Sequence, residues 1–235
     1  MERPHSPHLL ERVRRKLEKL GPRQTAHLML VRALDRASMF KVLRGILLLK
    51  VDPAFLQCPP HLTPGFLDER QLWQLARDPA NELDNSFLNE ALAKGDRCYA
   101  IMDGDKLAAY GWYSRQPTRI DPPDLLLSFD SNLVYMYKGL TRPEYRGQRL
   151  HAIGMNRALQ HYQTQGARGI ISYVESTNVD SLKSCYRLGY QLFGSVYLWR
   201  VFGHYLRVYS PGCRSQGFSL SAGAPRSDGL GARKA

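Results

Sequence analysis

Two short blocks carry the residues best placed for chemistry. The first covers 141–152, TRPEYRGQRLHA. Arg142-Pro143 stops β pairing, because proline has no N–H to give, and Gly147 allows a tight loop. Upstream, 133–141 is apolar and aromatic and ends in turn chemistry, so it reads as a strand. Downstream, 150–165 lacks proline and sets Ala152, Met155, Leu159 and Tyr162 at helical spacing. The block is therefore strand, arginine–glycine loop, helix start. Unpaired backbone N–H groups there, with the positive end of the helix, suit a phosphate or pyrophosphate. The same pattern also fits a surface turn that binds nothing. The second block begins with a strand at 169–174, GIISYV. It continues as NVDSLKSCYRLGY over 178–190, a short helix closed by Gly189 ahead of another strand.

PEYRGQRLHA followed by NVDSLKSCYRLGY resembles the GCN5-related N-acetyltransferase (GNAT) superfamily. Its first signature is Arg/Gln-x-x-Gly-x-Gly/Ala, usually inside a V-x-P-x-Y-R-G run. Arg146 fits it, while Arg149 and His151 stand where small residues are expected. The second signature is Asn-x-x-Ala/Ser-x-x-x-Tyr-x-x-x-Gly-Phe/Tyr. It is read here on Asn178, Ser181, Tyr186, Gly189 and Tyr190. With the weaker elements around them, the resemblance extends over 47–209.

The resemblance implies an α/β (α+β) acyltransferase fold, a mixed twisted sheet with helices on both faces. Its fourth and fifth strands, here 133–141 and 169–174, would splay where the co-substrate enters. That co-substrate would be acetyl-CoA or another acyl-CoA, with no metal. The pantetheine arm would lie along Gly139, Leu140 and Thr141. The pyrophosphate would sit on the amides of Arg146, Gly147, Gln148, Arg149, Leu150 and His151. Asn178 and Ser181 would pin the arm or its loop. Tyr186 would serve as general acid to the sulfur; its other reading is a core tyrosine with its hydroxyl at the rim. The reaction would be direct attack of an amine on the thioester in a ternary complex.

Family members often place the base on the strand face that carries residues 133, 135 and 137 here. This face offers Tyr135 and Tyr137, with Leu133 where some members carry glutamate. A tyrosine near pKa ~10 is a poor base at neutral pH. Glu175 is the nearest carboxylate to the splay in sequence. A water-relayed base is therefore expected, Glu175 first and Tyr137 second. Equally, the two tyrosines line an acceptor pocket and Glu175 is a solvated loop acid. If Arg149 and His151 point inward, an acyl carrier protein becomes the alternative donor. A GNAT fold without catalysis, acting as a binding module, is a further alternative.

The net charge of +12 is unevenly placed. Residues 1–50 hold 12 Lys/Arg against 4 Asp/Glu, and 200–235 hold 6 against 1, whereas 51–199 hold 15 against 16. The excess thus lies in two appendages. No nucleic-acid motif accompanies it, so specific DNA or RNA binding is not expected. Four scattered cysteines, Cys58, Cys98, Cys185 and Cys213, show neither metal spacing nor a disulfide framework. The charged first residues do not resemble a secretory leader, and no apolar run reaches ~20 residues. A cytoplasmic enzyme is expected, acting on a small-molecule or lipid-linked amine.

Three parts are expected: a basic helical extension (1–41), an acetyltransferase domain (42–210) and a disordered basic tail (211–235). Residues 1–7 would be frayed. In the extension, 8–20 and 25–37 read as amphipathic helices separated by Gly21-Pro22. They either pack on the domain or make peripheral membrane contact through 8–37. In the domain, 42–51 reads as a strand, 68–76 and 85–94 as helices, and 97–102 and 106–113 as a hairpin about Asp103-Gly104. The stretch 116–129 reads as a loop over the sheet. Residues 191–201 and 204–210 read as a terminal hairpin.

Overall fold

The computed structural model describes residues 9–120 and 124–222. The chain begins with α1 (Leu9–Ser38), β1 (Phe40–Leu48), β2 (Leu62–Phe66), α2 (Glu69–Leu75) and α3 (Asn85–Ala93). Next come β3 (Arg97–Asp103), β4 (Lys106–Ser114), β5 (Thr118–Ile120) and β6 (Leu125–Ser128). β7 (Leu133–Thr141), α4 (Leu150–Thr164), β8 (Gly169–Glu175) and α5 (Val179–Arg187) follow. The last elements are β9 (Gln191–Val201), β10 (His204–Tyr209), α6 (Pro211–Ser215) and β11 (Ser219–Ala222).

α1 is two helices, broken where Gly21 takes φ 76, a left-handed turn open to glycine, ahead of Pro22. In the second half Leu28 and Val31 are buried, and α1 packs on β1 and β9. That part of the stripe faces protein, while Leu17, Met29 and Leu30 of the same element stay exposed. No helix among the described residues is long and apolar enough to cross one.

Eight strands form the main sheet in the order β10-β9-β1-β8-β7-β4-β3-β2. All neighbours are antiparallel except β7 and β8, which run parallel. One face of the sheet packs on α4, where Met155, Ala158, Leu159 and Tyr162 meet Ile46, Leu48, Val134 and Ile170. The opposite face carries Leu43, Leu47, Leu133 and Tyr135 against a second sheet, β11-β6-β5. α2 and α3 add Leu72, Leu88 and Ala91 over Cys98, Ala100 and Trp112. Helices thus lie on both faces, as expected.

Three expectations need correction. The stretch 116–129 is not simply a loop: β5 and β6 pair within it and bury Ile120, Leu125 and Leu127. The tail is not disordered over 211–222. β11 pairs with β6, and Cys213, Phe218 and Leu220 are buried in the same cluster. Only three core residues, spaced by Gly, Ser, Arg and Gln, hold this segment, so composition hides it. The disorder expected beyond 222 and the fraying expected of residues 1–7 fall, with His8, outside the described residues. Finally, β2 escaped notice because LTPGF carries Pro64 and Gly65. It is an edge strand, where proline is tolerated.

Candidate active site between diverging strands

β7 has nine residues and β8 seven, yet they pair only at Leu133–Gly169, Val134–Ile170 and Tyr135–Ile171. Ser172 Oγ then donates to the Met136 carbonyl at 2.8 Å, which satisfies the first acceptor the ladder abandons. Beyond it the strands part. On its other edge β7 stays paired to β4, with one register shift between Trp112 and Tyr113 that leaves Tyr137 as the extra residue. Such a bulge re-aims the side chains that follow it.

A cleft of about 480 Å³ occupies the gap. β7 lines it with Met136, Tyr137 and Gly139, β8 with Ser172, Tyr173 and Glu175, α4 with His151, and α5 with Asn178, Ser181 and Cys185. A second cleft of about 410 Å³ is lined by Phe87, Lys94, Asp96, Tyr135 and Lys138, among others. Tyr137 and Tyr173 line both, so the two clefts meet at these rings.

The loop feeding α4 contains two left-handed residues, Gly147 at φ 85 and Arg149 at φ 59. Arg149 is the N-cap of α4 and supplies no side-chain cap. The first-turn amides of Leu150, His151 and Ala152 therefore have no intrahelical acceptor and face outward with the helix dipole. Arg149, where the family signature has glycine, holds the backbone shape that glycine adopts without strain. Its side chain is exposed. Arg146, Gly147 and Gln148 are exposed with it. The loop thus keeps its left-handed backbone turn despite the substitution.

His151 points the other way. A Cβ on Gly139 would lie 3.0 Å from His151 Cε1 and 2.8 Å from Met136 Cε, so the ring rests against this glycine. Burial lowers the imidazole pKa from 6.5. A depressed pKa means that the unfolded chain binds the proton more readily. The resulting stability is present above the unfolded value and is lost as pH falls below it. Replacing His151 with Gln should flatten the dependence of the melting temperature on pH below 6.5.

The profile of the acetyltransferase (GNAT) family matches residues 63–190, more than half the chain. The chain belongs to the GNAT family. No curated protein matches it. Among solved structures it is similar to a GCN5-related N-acetyltransferase from Sphaerobacter thermophilus, with 11% identity, TM-score 0.48, and 72% of this chain and 54% of that one covered. Another is a GNAT-family acetyltransferase from Colwellia psychrerythraea, at 16% identity and TM-score 0.43, covering 68% and 57%. A third is AAC(6′)-Iy in complex with the bisubstrate analogue CoA-S-monomethyl-acetylneamine, at 16% and 0.43, covering 55% and 90%. The chain spans 62% of the first structure matched, and less than two thirds of several others.

Among the residues expected for a GNAT site, Gly139, His151, Asn178, Ser181, Glu175 and Tyr137 come together at the cleft. Leu140 and Thr141 follow on the same strand, paired to β4 and not to β8. Asn178 is the N-cap of α5, its side chain accepting from Ser181 N at 3.2 Å, so it shapes the loop first. Tyr186 does not join them. It is 45% exposed and lines a separate cleft with His27, Arg44 and Lys183. The reason is helical period: at 100° per residue, position 185 returns to the face of Asn178 and Ser181, and 186 does not. The family spacing, counted strictly from Asn178, also falls on Cys185. Glu175 is engaged as well, its carboxylate accepting from Lys41 Nζ at 2.6 Å.

Asp96, Cys185 and Ser172 went unnoticed in the sequence. Asp96 follows the Gly95 that closes α3, where it looks like any loop acid. Cys185 was masked by the tyrosine beside it. Ser172 had no signal at all.

Proposed function

We propose that the chain transfers an acetyl group from acetyl-CoA to an amine, with donor and acceptor held in the two clefts that meet at Tyr137 and Tyr173. The observation that supports this most is the three-residue β7–β8 ladder. It leaves Gly139, Leu140 and Thr141 with one free main-chain edge facing the gap. Acetyl-CoA supplies the activated acyl group as a thioester. Gly139 to Thr141 offer strand-like hydrogen bonds to its amide-containing arm. The amides of residues 147–151 receive the diphosphate, with the Arg146 and Arg149 charges alongside; the Arg146 N–H itself is given to the Pro143 carbonyl at 3.2 Å.

Cys185 takes the place expected of Tyr186 at the sulfur end. Burial pushes its thiol up to about 11, so it stays protonated at neutral pH and can point an S–H hydrogen bond at a departing sulfur. Glu175 lines the donor cleft, and Lys41 pairs with its Oε1 at 2.6 Å, which fixes the carboxylate in the cleft wall.

Ligand-induced stabilisation tests the reading. Acetyl-CoA at 100 times its Kd should add about 2.7 kcal/mol, a rise of roughly 5–10 °C in melting temperature for a chain of this size. No rise at millimolar acetyl-CoA would remove the donor assignment.

A further inference from the structure

Behind Tyr137, in the second cleft, lies a carboxylate in an unusual setting. The Asp96 side chain is 1% exposed. Its Oδ2 accepts from Tyr137 Oη at 2.8 Å and lies 3.0 Å from Lys94 Nζ. Its Oδ1 is buried and has no hydrogen-bond partner. A purely structural buried carboxylate would be expected to use both oxygens, because an unpaired buried acceptor costs stability. Lys94 is tethered to Thr118 Oγ1 at 2.9 Å, which keeps its ammonium in place beside Asp96.

We propose that Tyr137 and Asp96 together remove the proton from the attacking amine. Tyr137 Oη accepts that proton as it passes its own to Asp96 Oδ2. Tyr137 is the catalytic group, and Asp96 is the positioning residue and proton sink behind it. This inference rests on the acetyl-transfer reading above.

Three observations converge on the pair. The hydrogen bond must run from Tyr137 to Asp96, since a carboxylate has no proton to give. Tyr137 is also one of two side chains shared by both clefts, so it stands where an amine would meet a thioester. Finally, burial, and then the charge of Asp96, raise the Tyr137 pKa well above the ordinary tyrosine value. Tyr137 therefore keeps its proton until another group takes it, and cannot act as a base alone.

In the reacting step, the nitrogen lone pair forms the C–N bond to the acetyl carbon. The C–S bond breaks and its electron pair goes to sulfur, which accepts a hydrogen bond from the Cys185 thiol and takes its proton from water. Asp96 returns its proton through Tyr137 to solvent, which balances the proton the sulfur took from water. The net change is thioester plus amine to thiol plus amide.

The other ionisable groups at this junction are Glu90 on α3, Lys94 just after it, Arg119 on β5, Tyr135 and Lys138 on β7 and Tyr173 on β8, with His151, Glu175 and Cys185 on the donor side. Phe87, Tyr135 and Tyr173 give the second cleft aromatic walls, with Tyr135 stacked on Tyr137 at 5.8 Å. The acceptor class that fits is a primary amine carried on a flat ring.

The test measures thiol release from acetyl-CoA with tyramine, phenethylamine and putrescine as acceptors. Transfer should favour the two ring amines. Asp96→Asn should lower kcat about 100-fold. The KM for acetyl-CoA and the thermal shift it induces should not change. The remaining rate should climb with pH as hydroxide replaces the lost sink. Tyr137→Phe should behave alike, and the double variant should be no slower than either single one, because the two act as a unit. Tyr137→Phe keeps the Lys94–Asp96 pair, so it decides the matter if Asp96→Asn fails to fold. Wild-type kcat in Tyr137→Phe or in a folded Asp96→Asn overturns the proposal alone, as do losses accompanied by a weakened acetyl-CoA shift. An acetyl-CoA thermal shift without transfer to any of the three amines overturns this proposal, and absence of both shift and transfer overturns the acetyl-transfer reading with it.

Discussion

A chain ended at Ser210 should fail to fold. Phe218 is 2% exposed, and with Cys213 and Leu220 it fills the layer between the main sheet and the β5–β6 pair. Truncating a buried phenylalanine to alanine typically costs about 3–5 kcal/mol, and a buried leucine about 2–5. Those two losses approach the ~5–15 kcal/mol that holds a domain together. Removing β11 also frees the edge of β6 and uncovers Ile120, Leu125 and Leu127. The Tyr209 hydroxyl, which accepts from Leu220 N at 3.0 Å, loses its partner too. Circular dichroism and urea unfolding of the 1–210 and 1–222 chains check this. The shorter chain should show no cooperative transition and the longer one should. If the shorter chain unfolds with an undiminished midpoint, the segment contributes nothing to the core.

The second large effect separates the two faces of α5. Cys185→Trp places a bulky indole into the gap between β7 and β8, whereas Tyr186→Trp adds bulk on the side lined by His27 and Arg44. The first variant should lose the thermal shift with acetyl-CoA entirely, and the second should keep it within a degree. Acetyl transfer should follow the same split, falling to background only for Cys185→Trp. Both positions lie on the same short helix, so a general loss of helix stability would affect them equally. If the tryptophan at 186 were the one that abolished binding, the donor would occupy the cleft beside α1 instead.

Much of the frame was legible because it rests on local chemistry. The Asp103-Gly104 hairpin, the Gly21-Pro22 break and the strand–loop–helix around Gly147 each follow from one or two residues with few conformational options. What escaped depends on distant partners. β5, β6 and β11 have three or four residues each and make sense only as a trio. Asp96 meets Tyr137 across 41 positions of chain, a distance no spacing rule spans. Tyr186 illustrates a different failure: a step of one residue along a helix turns a side chain by 100°, enough to move it from one cleft to another.

The short ladder at Leu133–Tyr135 has a mechanical consequence. In backbone pairing the main sheet is two wings, β10-β9-β1-β8 and β7-β4-β3-β2, joined by three rungs and the Ser172 clasp, with α4 packed across both. Spreading the wings at the open end disturbs no pairing inside either one. On the acyl-transfer reading proposed above, the compliance of the joint, more than the room between the wings, would set how thick an acyl chain enters.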